Sequence, residues 1–186
     1  AASDPDQFTS YPALRMSPAA DAAAVFAQRL AEQGITVQGS VEQGTAPQSS
    51  SPLASVRSAS LSEVMAFTLR HSDNSLAEEL GRLLALQTGT GNSPEGAVQA
   101  VKSVLEREGI STQGLDMRNC SGLTEDSKLT ARTLLEVQQR NLTAGSGAAA
   151  AEGLSIAGFV GHAANRLLDA SEAGLLRAHT GSLGDV

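Results

Sequence analysis

Aromatic residues are scarce, at 3% of the chain, with no tryptophan, one tyrosine and four phenylalanines. A core of large anchors is thereby excluded, and the interior must be built from alanine, leucine and valine through many small contacts. Cys120 is the single cysteine, so no disulfide can close within the chain. Lysine occurs only as Lys102 and Lys128, and Gln99 and Glu125, not serines, stand three residues before them. No basic cluster occurs and the formal net charge is -7. A surface that tracks phosphates needs a basic stripe, so nucleic acid is not an expected partner. No apolar run has the length of a bilayer-crossing helix, so no transmembrane segment is expected in this chain. The polar start, Ala1-Ala2-Ser3-Asp4, is not a secretory signal. His71, His162 and His179 lie far apart without a local carboxylate cluster, so neither a metal site nor a cofactor is expected.

What is present is globular composition, 41% hydrophobic and 18% charged over 186 residues, enough for one sizeable core. Residues 1–16 read as an extended lead-in. Ser17-Pro18 opens a helix carrying Ala23, Val25, Phe26 and Leu30 at helical spacing, and Gly34 ends it. Ile35, Val37 and Val41 alternate around Gly39 as a bulged strand would, and Leu53 to Arg57 reads as a second short strand. Ser60-Leu61-Ser62-Glu63 is a capping box opening a helix to about Arg70. His71-Ser72-Asp73-Asn74 interrupts it, and a new helix runs from about Ser75 to Thr88-Gly89. Ser93-Pro94-Glu95 starts the next, to about Glu108. Leu115 to Arg118 reads as a strand, Ser121-Gly122 as a turn, and Thr130 as the cap of a helix through Leu134, Leu135 and Val137. Residues 143–153 are rich in glycine and alanine and carry no clear signal, and Leu175 to Leu183 reads as a last strand. The class expected is α+β in mixed order.

Two short segments carry chemistry. Ser72 and Asn74 sit two residues apart in a tight break between helices. There a hydroxyl can relay a proton, and an amide offers a donor and an acceptor to a peptide-like ligand. The same triplet is also a common helix cap. His179-Thr180-Gly181-Ser182 lies on the last strand, where a glycine marks close approach of a ligand or another backbone. A basic group with hydroxyls from Thr180 and Ser182 on one strand face suits a carboxylate. A weak edge strand ending in a turn fits that segment equally well. Asn119-Cys120-Ser121-Gly122-Leu123-Thr124 is a turn before a helix.

Together these segments resemble a known family. Ser72-Asp73-Asn74 followed by Ser75-Leu76-Ala77-Glu78-Glu79-Leu80 is similar to the second motif of the class C low-molecular-mass penicillin-binding proteins. These are the DacB-type D-alanyl-D-alanine carboxypeptidases/endopeptidases. Ser121-Gly122-Leu123-Thr124 looks like their Ser-Gly-Leu-Ser element. Leu154-Ser155-Ile156-Ala157-Gly158 looks like their Leu-Pro-Ile-Ala-Gly segment. His179-Thr180-Gly181-Ser182-Leu183 resembles their Lys-Thr-Gly-Thr/Ser-Leu. The order is kept from about Pro12 to the end.

The resemblance implies a penicillin-recognising serine-transferase fold, an antiparallel sheet flanked by helices, of which residues 1–186 form a partial domain. It implies serine acyl transfer on peptidoglycan stem peptides ending in D-Ala-D-Ala, with β-lactams acylating the same serine, in the periplasm or at the extracytoplasmic cell-wall face of the membrane. By position, Ser72 would join the proton-transfer network and Asn74 would contact the substrate amide. His179 would take the place of the third-motif lysine. Thr180 and Ser182, with Gly181 between them, would bind the terminal carboxylate, and the Ser182 N–H would supply one arm of an oxyanion hole.

The chain departs from the pattern in three places. No Ser-x-x-Lys exists in it, so the nucleophile is expected on an N-terminal part of the same protein, and closing strands and a helix are expected beyond Val186. His179 replaces lysine, so its charge varies near neutrality, and a carboxypeptidase rate falling as pH rises through the histidine range is expected. Asn119-Cys120 replaces Asp-Gly, which puts Cys120 either near the cleft rim or, as a buried thiol, in the interior. A non-catalytic module of the same fold is the alternative. A serine β-lactamase shares the fold, but the long spacing between motifs and the Leu-Ala-Glu-Glu helix favour the carboxypeptidases.

Overall fold

The computed structural model describes residues 17–45, 47–49, 51–143, 145 and 148–181. The expectations for residues 1–16, Ser182 and Leu183 lie outside these residues. The chain divides into two units, Ala1–Val56 and Arg57–Val186.

In the first unit, α1 spans Pro18–Glu32. Asp21 in its first turn and Arg29 in its last complement the helix dipole. Ser17 holds the cap position, but its side chain makes no capping bond. Gly34 at φ 78° closes the helix, with Gly34 N–H on Ala31 O and Ile35 N–H on Leu30 O, both 2.9 Å. The strands expected around Ile35–Val41 and Leu53–Arg57 do not form among the described residues. A strand is held by a neighbour's ladder and cross-strand side chains. Ile35, Val37 and Val41 have no such neighbour and remain about half exposed, while Leu53 and Val56 are fully exposed.

The second unit carries the other elements. Helix α2, Leu61–His71, starts on the expected capping box: the Ser60 hydroxyl accepts from Glu63 N–H, and Ser60 N–H donates to the Glu63 carboxylate at 2.8 Å. Helix α3, Asn74–Thr88, starts under Asp73, whose carboxylate accepts from Leu76 N–H at 3.0 Å. It stops at Gly89, which is left-handed. Helix α4, Pro94–Arg107, is capped by Ser93 through Gly96 N–H at 3.0 Å. Helices α3 and α4 form a hairpin around fully buried Ala85, Ala97 and Ala100, with Leu84 and Cys120 packed alongside. The small side chains let the two backbones close together. Gly81 serves the same end, since a Cβ there would overlap the Cys120 sulfur.

Helix α5, Ala131–Thr143, begins where Thr130 caps it, accepting from Thr133 N–H at 3.1 Å. The unassigned alanine-rich stretch becomes α6, Ala148–Gly153, which packs on α2. A Cβ on Gly153 would come within 2.6 Å of Ala66 Cα. A two-residue antiparallel sheet follows: β1, Ser155–Ile156, pairs with β2, Arg177–Ala178, in the register Ser155 to Ala178 and Ile156 to Arg177. Within the described part of Leu175–Leu183 only Arg177 and Ala178 are strand. Leu115–Arg118 reduces to an isolated bridge between Asp116 and Lys128. The class is therefore α+β as expected, rich in helix, with a short antiparallel sheet.

Candidate active site

Ser72 sits at the joint between α2 and α3 with φ 52° and ψ 49°, left-handed backbone that only two non-glycine residues adopt among those described. Such a conformation costs on the order of 1 kcal/mol or more for a side chain with a Cβ. The joint is over-determined: both Ser72 N–H and Asp73 N–H donate to Thr68 O, and Asp73 caps α3 immediately afterwards. The Ser72 side chain is thereby turned out of the helical path. Asn74, the first residue of α3, is half-buried, and no hydrogen bond holds its amide among the described residues. It is available to a ligand. The cap reading of the triplet is met by Asp73, with Ser72 and Asn74 on either side of it.

Ser72 meets the last strand across a separation of 107 residues: its hydroxyl lies 3.3 Å from His179 Nε2. His179 directly follows β2, and the pairing of Ala178 with Ser155 carries it to this place. On the opposite side of the ring, His179 Nδ1 is 3.4 Å from His162 Nε2. The two imidazoles stand edge to face with centroids 4.5 Å apart. His162 lies on a 3₁₀ turn, Gly161–Ala163, and its Nδ1 is 3.4 Å from the Ser155 hydroxyl. Ser155 is fully buried and donates to Arg70 O at 3.2 Å. Burial, then the charges of His179, His71 and Arg166, hold His162 below the usual histidine value and favour its neutral form.

Gly161 makes this approach possible. It has φ 77°, and a Cβ on it would overlap the Ser155 hydroxyl and come within 2.6 Å of Arg70 O. Only glycine fits both the backbone and the space.

The Ser121-Gly122 loop is fastened to α3. The half-buried Glu78 carboxylate accepts from Ser121 N–H at 2.8 Å and Cys120 N–H at 3.1 Å. Burial opposes its charge, but these bonds and Arg82 outweigh it and hold the carboxyl below its usual value. Asn119 closes the loop, accepting from Gly122 N–H at 2.9 Å. Cys120 is half-buried and packs on the α3–α4 core, and burial followed by the Glu78 charge raises its pKa.

The structure thus joins Ser72 and His179, with Asn74 two residues beyond Ser72 and Thr180 and Gly181 continuing from His179. Ser182 lies outside the described residues. Sequence reading missed His162. The signals were there: a histidine just after a glycine, and a serine at 155 where the resembling segment has proline. A separate cavity of about 500 Å³ between α3 and α4, lined by residues such as Leu84, Thr90 and Arg107, holds none of these groups. Among the described residues no cluster of three metal-ligating side chains occurs, and no helix is long and apolar enough to cross a membrane.

A family model described as D-Ala-D-Ala carboxypeptidase 3 (S13) matches residues 6–186. The chain belongs to that family. It is 43% identical over 136 residues to carboxypeptidase DacB of Mycolicibacterium smegmatis, covering 69% of this chain and 29% of the relative. It is 30% identical over 134 residues to a D-alanyl-D-alanine carboxypeptidase of an Actinomadura species, covering 69% of this chain and 25% of that one. The chain therefore spans under a third of the length of these relatives. Among solved structures, penicillin-binding protein 4 (dacB) of Haemophilus influenzae matches with TM-score 0.72 and 28% identity, over 87% of this chain and 36% of that one. The same protein in complex with a β-lactam matches with TM-score 0.70. The S13 assignment agrees with the ordered motifs, and the mixed α+β fold is the one these structures share.

Proposed function

We propose that these residues are the substrate-positioning and proton-relay part of a serine D-Ala-D-Ala carboxypeptidase/endopeptidase acting on peptidoglycan stem peptides at the extracytoplasmic face of the cell. One observation supports the reading above all: the 3.3 Å contact between Ser72 and His179, which lie in the two segments that resemble the family's second and third motifs.

In this reading a serine of a Ser-x-x-Lys motif attacks the carbonyl carbon between the two D-alanines. A tetrahedral oxyanion forms, the C–N bond breaks, and the leaving amine of the terminal D-Ala takes a proton through the Ser72 hydroxyl. Water then hydrolyses the ester and frees the serine. Asn74 hydrogen-bonds the stem-peptide amide. His179, as imidazolium, with Thr180 and Ser182 on either side of Gly181, receives the terminal carboxylate, and the Ser182 N–H faces the oxyanion. Since residues 1–186 contain no Ser-x-x-Lys, the proposal takes the nucleophile from elsewhere in a longer protein, with this chain as a partial penicillin-binding domain.

The test is acylation of the full-length protein by a fluorescent penicillin. Covalent labelling that disappears when the Ser-x-x-Lys serine is replaced is expected, and residues 1–186 alone remain unlabelled. A correctly folded full-length protein that takes no label, and whose stem-peptide binding is intact, would instead be a non-catalytic module of this fold.

A further inference from the structure

The groups behind His179 form a chain with one direction. Its far end is a backbone carbonyl, Arg70 O, which can only accept. Ser155 must therefore spend its only proton there, and its oxygen is left to accept from His162 Nδ1–H. A His162 protonated at Nδ1 and neutral presents a bare Nε2 lone pair, which accepts from His179 Nδ1–H. His179 is thus fixed as the Nδ1–H form whose Nε2 points at Ser72. When Nε2 takes a proton, the Nδ1–H bond to His162 persists and strengthens, because its donor is now charged.

From this geometry we infer that His162 is a positioning residue that holds His179 in one orientation and tautomer, and sustains its imidazolium, so that histidine serves where the family has lysine. Of the two rings, His179 is exposed, while His162 is half-buried, is held below the usual histidine value and acts through His179. The titratable and charged groups facing the pair are Arg70 and His71 at the end of α2 and Arg166 just beyond the 3₁₀ turn. They are cationic or neutral, so a second full charge on His162 is disfavoured and the pair holds a single proton above one per ring. Ser155 is the other departure from the resembling segment, and proline at that position would have no hydroxyl to end the chain. The inference rests on the proposed carboxypeptidase reading, in which His179 meets a carboxylate.

The experiment uses the full-length protein and measures penicillin acylation rate against pH, with nitrogen NMR of the histidine rings alongside. His162→Phe keeps an aromatic ring but offers no acceptor, and should move the alkaline fall in rate to lower pH by about one unit. His162→Asn restores an acceptor and should bring the fall back toward the wild-type position. His179→Lys should abolish the alkaline fall in the histidine range, and in that background His162→Phe should no longer shift the profile. A His162→Phe profile that overlays wild type, or one shifted equally in the His179→Lys background, overturns the inference. The NMR arm stands apart from activity: neutral His179 should carry its proton on Nδ1, and the Nε2–H form overturns the inference whether or not the protein is labelled. Absence of labelling with the Nδ1–H form observed overturns the carboxypeptidase reading and leaves the positioning role of His162 intact.

Discussion

Ser72 is held in a backbone conformation that disfavours every side chain with a Cβ, and it is retained where a glycine would be relaxed. The strain and the hydroxyl can be separated. Ser72→Gly should fold more stably than Ser72→Ala by about 1 kcal/mol in denaturant titration, while both lose acylation to a similar degree. Equal stabilities would show that the left-handed turn is not populated. The triplet was legible as a joint because serine, aspartate and asparagine favour caps and turns, and Asp73 does cap α3. That His179 meets Ser72 was legible only through the order of the motifs. That His162 backs it was not, because 17 residues separate the rings and the 3₁₀ turn and the β1–β2 register together bring them into edge-to-face contact.

Helices announced themselves by their ends. The capping box at Ser60, the caps at Ser93 and Thr130 and the stop at Gly89 are all observed. These are local bonds, made within four residues, so local sequence encodes them. Strands need a distant partner, and the expected runs at Ile35–Val41 and Leu53–Arg57 have none among the described residues. Between elements, one acid-sensitive tie is Glu78 on the Ser121-Gly122 loop. Its carboxyl lies below the usual value near 4.5. The folded state therefore binds its proton less tightly than the unfolded chain, and the stabilisation is present above that range and lost as pH falls through it. Glu78→Gln should cost on the order of 1 kcal/mol at neutral pH and flatten the acid side of a stability–pH curve. A variant curve parallel to wild type through that range would refute the tie.

Among the described residues of the unit from Arg57 to Val186, the buried hydrophobic positions are five alanines and Ile110, while Leu134, Leu135, Leu142 and Phe159 are more than half exposed. The scarcity of aromatics foretold such an interior, but composition could not say which apolar residues would be left outside. The α3–α4 hairpin closes through contacts between consecutive helices, and the loop fastened by Glu78 through bonds that span 42 and 43 residues. The Ser72–His179 contact instead spans 107 residues of chain, and closing so long a loop is entropically costly. We expect the Ser72–His179 contact to open more readily than the α3–α4 hairpin. Amide hydrogen exchange in the full-length protein should protect Ala85, Ala97 and Ala100 strongly and leave Ala157 and Ala178 exchanging faster; the reverse order would overturn this. A site that opens before its scaffold melts would lose its chemistry to mild heat while far-ultraviolet dichroism still reported intact helices.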